Sequence, residues 1–284
     1  MDHIVWTERP SLHRPVLIAA FEGWNDAGDA SSFAARYLGD QWGAEPFAAV
    51  DPEEFYDFTS TRPQVRLDGG PEREIVWPGL VLSSARVPGT DTDVILVVGD
   101  EPQLRWRTLC DQITGIARHY DARMVITLGA LLAEVAHSRP VSIVGTAYDP
   151  AVSDHLDLRP STYQGPTGIV GVLHDACRRA ELSSASLWAA VPTYVPSAPS
   201  PKAALALVER CARLLRVSVL TTDLEIATAS YERQINELVA ADEETAAYVA
   251  GLEARTENEA NASLADGASL IEEVERFLRD RPLG

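Results

Sequence analysis

Asn25, Asp26 and Asp29 follow an apolar run over residues 15–21, and Asp100 and Glu101 follow a second one over residues 94–98. Carboxylates gathered at strand ends are the residue types for a general base or a cation site. Gly165, Thr167 and Gly168 stand before a helix-periodic stretch that begins at Ile169. Glycines there leave backbone N–H groups open, Thr167 offers a capping hydroxyl, and a helix start favours an anion or a developing oxyanion. His137 with Arg139 could hold an acidic group, and Thr193, Tyr194 and Lys202 follow a later strand. A structural alternative stays open, because Asp is favoured at helix caps and these acids would then satisfy loop amides.

Several chemistries are excluded by their missing motifs. The sequence has no phosphate loop ending in Gly-Lys-Ser/Thr, no Gly-x-Gly-x-x-Gly after a strand, no Gly-x-Ser-x-Gly elbow and no His-Glu-x-x-His. Asp154-His155-Leu156-Asp157 contains potential metal ligands, but its spacing matches no strong template, so neither a metal nor a cofactor is expected. His174 and Asp175 read as ordinary helix residues. Cys110, Cys177 and Cys211 are widely separated, form no Cys-x-x-Cys pair and read as buried thiols.

Those residues need elements to position them. The 284 residues, 46% of them hydrophobic, suffice for a full core. The net charge of −18 opposes nonspecific binding to nucleic acid or an anionic membrane. With no apolar segment like a signal peptide or membrane span, a cytoplasmic protein is expected.

Residues 15–21 and 94–98 read as strands buried on both faces, each followed by a polar loop and a helix. Asn25, Asp26 or Asp29 would cap the first of these helices. Shorter strands are expected at residues 47–50, 65–67, 74–77 and 80–87, as antiparallel additions to the sheet, with further strands at 124–128, 141–147 and 185–191. The stretch 131–161 reads as mostly irregular and flanking the opening. Ser200 is a candidate N-cap with Pro201 at the first helical position. Beyond Asp223 the chain is acidic, with capping-box patterns at Thr222 to Glu225 and Ser269 to Glu272 that predict two helix starts. Alternation of strands and helices implies a mixed, mostly parallel sheet between two helical layers, and open α/β sheets bind ligands beyond the carboxyl ends of their strands. A division at residue 220, with an acidic helical appendage over 221–284, follows from the change in pattern.

An ordered set of segments carries a family likeness: 21–28, Gly99-Asp100-Glu101-Pro102 with Trp106, His137-Ser138-Arg139-Pro140, Tyr163-Gln164-Gly165-Pro166-Thr167-Gly168, and Val191-Pro192-Thr193-Tyr194 with Pro201-Lys202-Ala203. Over residues 15–215 the chain resembles the proteasome assembly chaperone 2 family in its actinobacterial branch. That resemblance implies a three-layer α/β/α, phosphorylase/hydrolase-like fold, self-association as a homo-oligomer, with a trimer expected, and a role in protein assembly. The chain departs from the pattern at Thr193, where relatives often carry histidine, and at Ser138, where threonine is usual. Its Pro282-Leu283-Gly284 ending also lacks the hydrophobic-Tyr-any tail that family assembly chaperones can carry.

Two functions follow as expectations. The first is a noncatalytic, oligomeric interaction protein of chaperone type, whose candidate partners are a copy of itself and a second protein. The alternative is a small-molecule hydrolase or nucleoside-phosphorylase-like enzyme working in a crevice formed by Asn25, Asp26, Asp29, Asp100, Glu101, His137, Arg139, Gly165, Thr167, Gly168, Thr193, Tyr194 and Lys202.

Overall fold

A computed structural model describes residues 1–67, 73–156, 158 and 164–262. Its strands are β1 (Ile4–Trp6), β2 (Val16–Glu22), β3 (Glu45–Val50), β4 (Gln64–Arg66), β5 (Glu74–Val76), β6 (Leu80–Arg86), β7 (Asp93–Asp100), β8 (Met124–Ala133), β9 (Ile143–Ala147) and β10 (Ser184–Pro192). Its helices are α1 (Ala30–Trp42), α2 (Trp106–His119), α3 (Pro150–Leu156), α4 (Ile169–Arg179), α5 (Pro201–Leu215), α6 (Thr222–Ala240) and α7 (Glu243–Ala262).

Eight strands form one mixed sheet in the order β1-β3-β6-β7-β2-β8-β10-β9. The central β7, β2, β8 and β10 run parallel, while antiparallel pairings carry the sheet outward to β6, β3 and β1 on one side and to β9 on the other. Strand β2 lies in the middle, which explains its unbroken apolar sequence. Ile18 and Ala20 enter the core beneath α1 and α5, whereas Leu17, Ala19 and Phe21 enter the core beneath α2 and α4. Burial of a side chain such as Leu17 or Phe21 contributes about 1.5–3 kcal/mol. The two helical layers are therefore held by opposite faces of the same residues' strand.

Some local expectations are corrected. The strands at residues 65–67 and 74–77 do not join the main sheet; β4 and β5 pair only with each other. Strand β1 and helix α3 appear where the sequence showed no periodicity long enough to mark them, α3 within the stretch read as irregular. Helix α6 is flanked by Thr221, one residue before the predicted capping box, and the Thr221 hydroxyl donates to Glu225 Oε1 at 2.6 Å. Helix α7 begins after Asp242, whose Oδ2 accepts the Thr245 N–H at 2.9 Å. The predicted helix start at Ser269, the chain terminus and Tyr163 lie outside the described residues.

The cap of α5 and the cysteines follow the sequence. Ser200 accepts the Ala203 N–H at 3.3 Å and opens α5 with Pro201 behind it. All three thiols are buried, and burial pushes each of them up to about 12, far from the thiolate form that reacts. No described helix is long and apolar enough to cross a membrane.

Candidate functional site

The loop after β2 turns back on itself, with the Asp26 N–H donating to Gly23 O at 3.0 Å, and lies against the end of β8, where the Ala130 N–H donates to Asn25 O at 2.8 Å. This buries Asn25 and Asp26 in a stretch whose sequence reads as a polar loop. Asp26 points into the start of α1. Its Oδ1 accepts the Ser31 N–H and hydroxyl, each at 2.6 Å, and the Ser32 N–H at 3.2 Å. Of the three candidate caps, Asp26 does the work; Asp29 is exposed and makes no side-chain cap. Burial pushes the Asp26 carboxyl above its usual value, against the opposing pull of the serine hydrogen bonds.

The start of α4 holds an anion, and the anion belongs to the chain. Glu101 Oε1 accepts the Ile169 N–H at 3.1 Å and the Asn25 amide at 2.7 Å. Gly168 precedes the helix without any side-chain cap, and Thr167 does not cap it either; its hydroxyl lies over Gly171, where there is no side chain. The proposed oxyanion position is thus filled by Glu101, which reaches it because β7 and β2 are adjacent in register through Asp100 and Glu22. Burial raises the Glu101 carboxyl, while its hydrogen bonds to Ile169, Trp24 and Asn25 pull the other way. Gly168 is required by the packing: a Cβ there would stand 2.4 Å from Asn25 Nδ2.

Asp100 turns away from this group. Its Oδ2 accepts the Gly79 N–H at 3.1 Å, its carbonyl accepts the Tyr56 hydroxyl at 2.8 Å, and burial raises its carboxyl. Gly99 has φ of 154° and packs so tightly on Gly79 that a Cβ would fall 1.9 Å from the Gly79 carbonyl oxygen. Backbone alone fits that crossing.

His137, Tyr194 and Lys202 form a separate polar group under α6. Tyr194 Oη lies 2.7 Å from both the backbone nitrogen and Nδ1 of His137, and His137 Nε2 lies 3.1 Å from Asn236 Oδ1 on α6. Lys202 donates to the His137 carbonyl and to Glu232 Oε1, both at 2.5 Å. Burial pushes the Tyr194 hydroxyl up to about 12. Ser138 donates to Glu253 on α7, and Arg255 pairs with Glu134 at 3.2 Å. Arg139 is half-buried, its N–H closing a turn onto Ala136 O at 3.2 Å; the Thr193 N–H donates to Ala133 O at 3.1 Å, and Gly165 is exposed. These residues fasten the terminal helices to the ends of β8 and β10.

Six of the predicted residues therefore lie at the carboxyl-terminal end of the parallel strands, but in three separate groups: Asp26 at the start of α1, Asn25 and Glu101 at α4, and His137, Tyr194 and Lys202 beneath α6. One large concavity lies elsewhere. A cavity of about 1100 Å3 opens between α1, the ends of β6 and β7, and the β4–β5 hairpin, and Asp100 is the predicted residue that borders it. Sequence reasoning missed Arg62, Arg66 and Trp77 on its lining; the signal was a hairpin with arginines alternating with apolar residues. Among the described residues no group of three or more His, Cys, Asp or Glu side chains is arranged to hold a metal ion.

The hairpin carries an inverted pattern. Gln64, Arg66 and Val76 line the cavity, whereas Val65 and Ile75, directly opposed in register, are 60% and 54% exposed. A soluble hairpin ordinarily places its apolar side inward, and an isolated two-stranded ribbon is only marginally stable.

The PAC2 family profile matches residues 20–239. A PAC2 family protein from Streptomyces avermitilis is 46% identical, with a TM-score of 0.78 over 83% of this chain and 99% of that one. A Mycobacterium tuberculosis proteasome-assembly chaperone homologue is 44% identical, with a TM-score of 0.75 over 82% of this chain and 99% of that one. The Pyrococcus furiosus protein PbaA, an archaeal homologue of proteasome-assembly chaperone, shares the fold at 19% identity, with a TM-score of 0.60 over 83% of this chain and 96% of its own. None of the curated proteins matches this chain.

Proposed function

The chain belongs to the PAC2 family, and we propose that it acts as a noncatalytic, homo-oligomeric protein of the assembly-chaperone type, a trimer that also binds a second protein. The observation that carries this reading is the inverted β4–β5 hairpin, whose outer face presents Val65, Leu67 and Ile75 to solvent. Exposed apolar patches of this kind mark protein contacts. The acidic surface selects a partner with basic groups at its rim. Likeness to proteins described as proteasome-assembly chaperone homologues supports the assembly role.

The groups that a small-molecule enzyme would use at the strand ends are engaged in holding the fold. Asp26 Oδ1 caps α1, Glu101 Oε1 caps α4, and Lys202 is paired with Glu232. Light scattering tests the reading. The expected result is an oligomer at micromolar concentration that dissociates in the Val65→Glu/Ile75→Glu variant without loss of helical circular dichroism. A monomeric wild type, or an oligomer indifferent to both substitutions, would refute it.

A further inference from the structure

The cavity beside the hairpin has features that the assembly reading does not use. It is as large as a small-ligand site, for which roughly 300–1,000 Å3 is usual. Its acidic lining residues come from the body of the fold: Glu22, which pairs with Arg36, together with Asp40 and Asp100. The loop and hairpin instead contribute Arg62 and Arg66, which make no ion pair among the described residues, although Glu74 stands across from Arg66 in the ladder. In a chain of net charge −18, the lining balances Glu22, Asp40 and Asp100 with Arg36, Arg62 and Arg66, and among the described residues the last two guanidinium groups have no carboxylate partner. Trp77 lies on the same lining, half-exposed, with its ring centroid 4.7 Å from that of Phe58.

We propose that this cavity binds a small molecule carrying a phosphate group on a flat apolar moiety, the phosphate between Arg62 and Arg66 and the flat part on Trp77. Guanidinium forks match phosphate oxygens two at a time, which favours phosphate over a point-like anion. An aromatic face on the same lining favours a planar group over an aliphatic one. A cavity of this volume also exceeds what an inorganic anion would fill. The proposal stands apart from self-association, because the cavity is lined by the inner face of the hairpin and not by Val65 or Ile75.

Isothermal titration of the full-length protein with phenyl phosphate, inorganic phosphate and benzoate provides the test. Phenyl phosphate is expected to saturate at millimolar concentration or below and to bind more tightly than either other probe. Arg62→Gln/Arg66→Gln should weaken it about tenfold or more, the loss expected for two charge-assisted contacts. Trp77→Leu should bring phenyl phosphate down to the affinity of inorganic phosphate, while Arg107→Gln, an exposed arginine on α2 outside the cavity, should change nothing. Thermal melts of each variant establish that it is folded. Absence of saturable binding by phenyl phosphate, benzoate binding as tight as phenyl phosphate, or an equal loss in Arg107→Gln would each overturn the proposal.

Discussion

The Asn25 side-chain amide donates to Glu101 Oε1 at 2.7 Å, and the same oxygen accepts the first N–H of α4, from Ile169, at 3.1 Å. One carboxylate thereby joins the loop after β2, the end of β7 and the start of a helix that lies far along the chain.

That junction has no room for another atom. Gly168→Ala would place its Cβ 2.4 Å from Asn25 Nδ2 and 2.6 Å from its Oδ1, in a backbone conformation that alanine otherwise accepts. Asn25 is buried and cannot swing aside, so the expected cost is about 1–3 kcal/mol in urea unfolding. Combining it with Asn25→Ser should cost less than the sum of the two single changes, and strict additivity in that cycle would show that the two sites do not meet.

Asp26 separates hydrogen bonding from charge. Asp26→Ala leaves the Ser31 and Ser32 donors buried without an acceptor and should destabilise by about 2–3 kcal/mol. Asp26→Asn keeps one carbonyl oxygen in place of Oδ1 and removes the buried charge, so at neutral pH it should lie within about 1 kcal/mol of wild type, on the stabilising side. Equal losses in both variants would mean that the charge itself holds α1.

The pH dependence follows with its sign. Asp26, Asp100 and Glu101 all have carboxyls raised by burial above usual values of 3.8, 3.8 and 4.5, so the folded state holds protons that the unfolded chain has released. Their contribution is fully present below those values and is lost as pH rises through the folded pKa of each, with a slope of about 1.4 kcal/mol per pH unit for one proton. His174 acts oppositely: burial lowers it, and its contribution is lost as pH falls below 6.5 toward its folded value. Subtracting the Asp26→Asn profile from that of wild type isolates one carboxylate, and the advantage of Asp26→Asn should shrink steadily toward pH 4. A difference independent of pH would contradict the assignment.

Lys202 ties α5 to α6 through Glu232 and to the turn after β8 through the His137 carbonyl. Lys202→Met leaves both acceptors behind and should cost about 1–3 kcal/mol, felt locally. Hydrogen exchange should quicken across α6 and α7 while β2, β7 and β8 keep their protection. Uniform loss of protection would mean that the terminal helices and the sheet unfold as one unit.

Much was set by the sequence alone, for reasons local to it. Residues 16–21 are apolar without alternation because a strand buried on both faces has no solvent side, and β2 is that strand. Ser200 and Pro201 mark a helix start because a hydroxyl and a fixed φ act within one turn. The ordered loop segments carried the family likeness without any contact being known. Tertiary structure alone decided which groups met. Thr167 is adjacent to α4 and does not cap it, whereas Glu101, 68 residues away, does, because sheet order brings the end of β7 beside the helix start and a free N–H takes the acceptor placed nearest in space. By the same rule Asp26, not Asp29, holds α1, and His137 faces Asn236 on a helix about a hundred residues later. The hairpin's strands were legible from their composition, but their separation from the main sheet, and the cavity that Arg66 and the preceding Arg62 line, depend on long-range packing that no local pattern encodes.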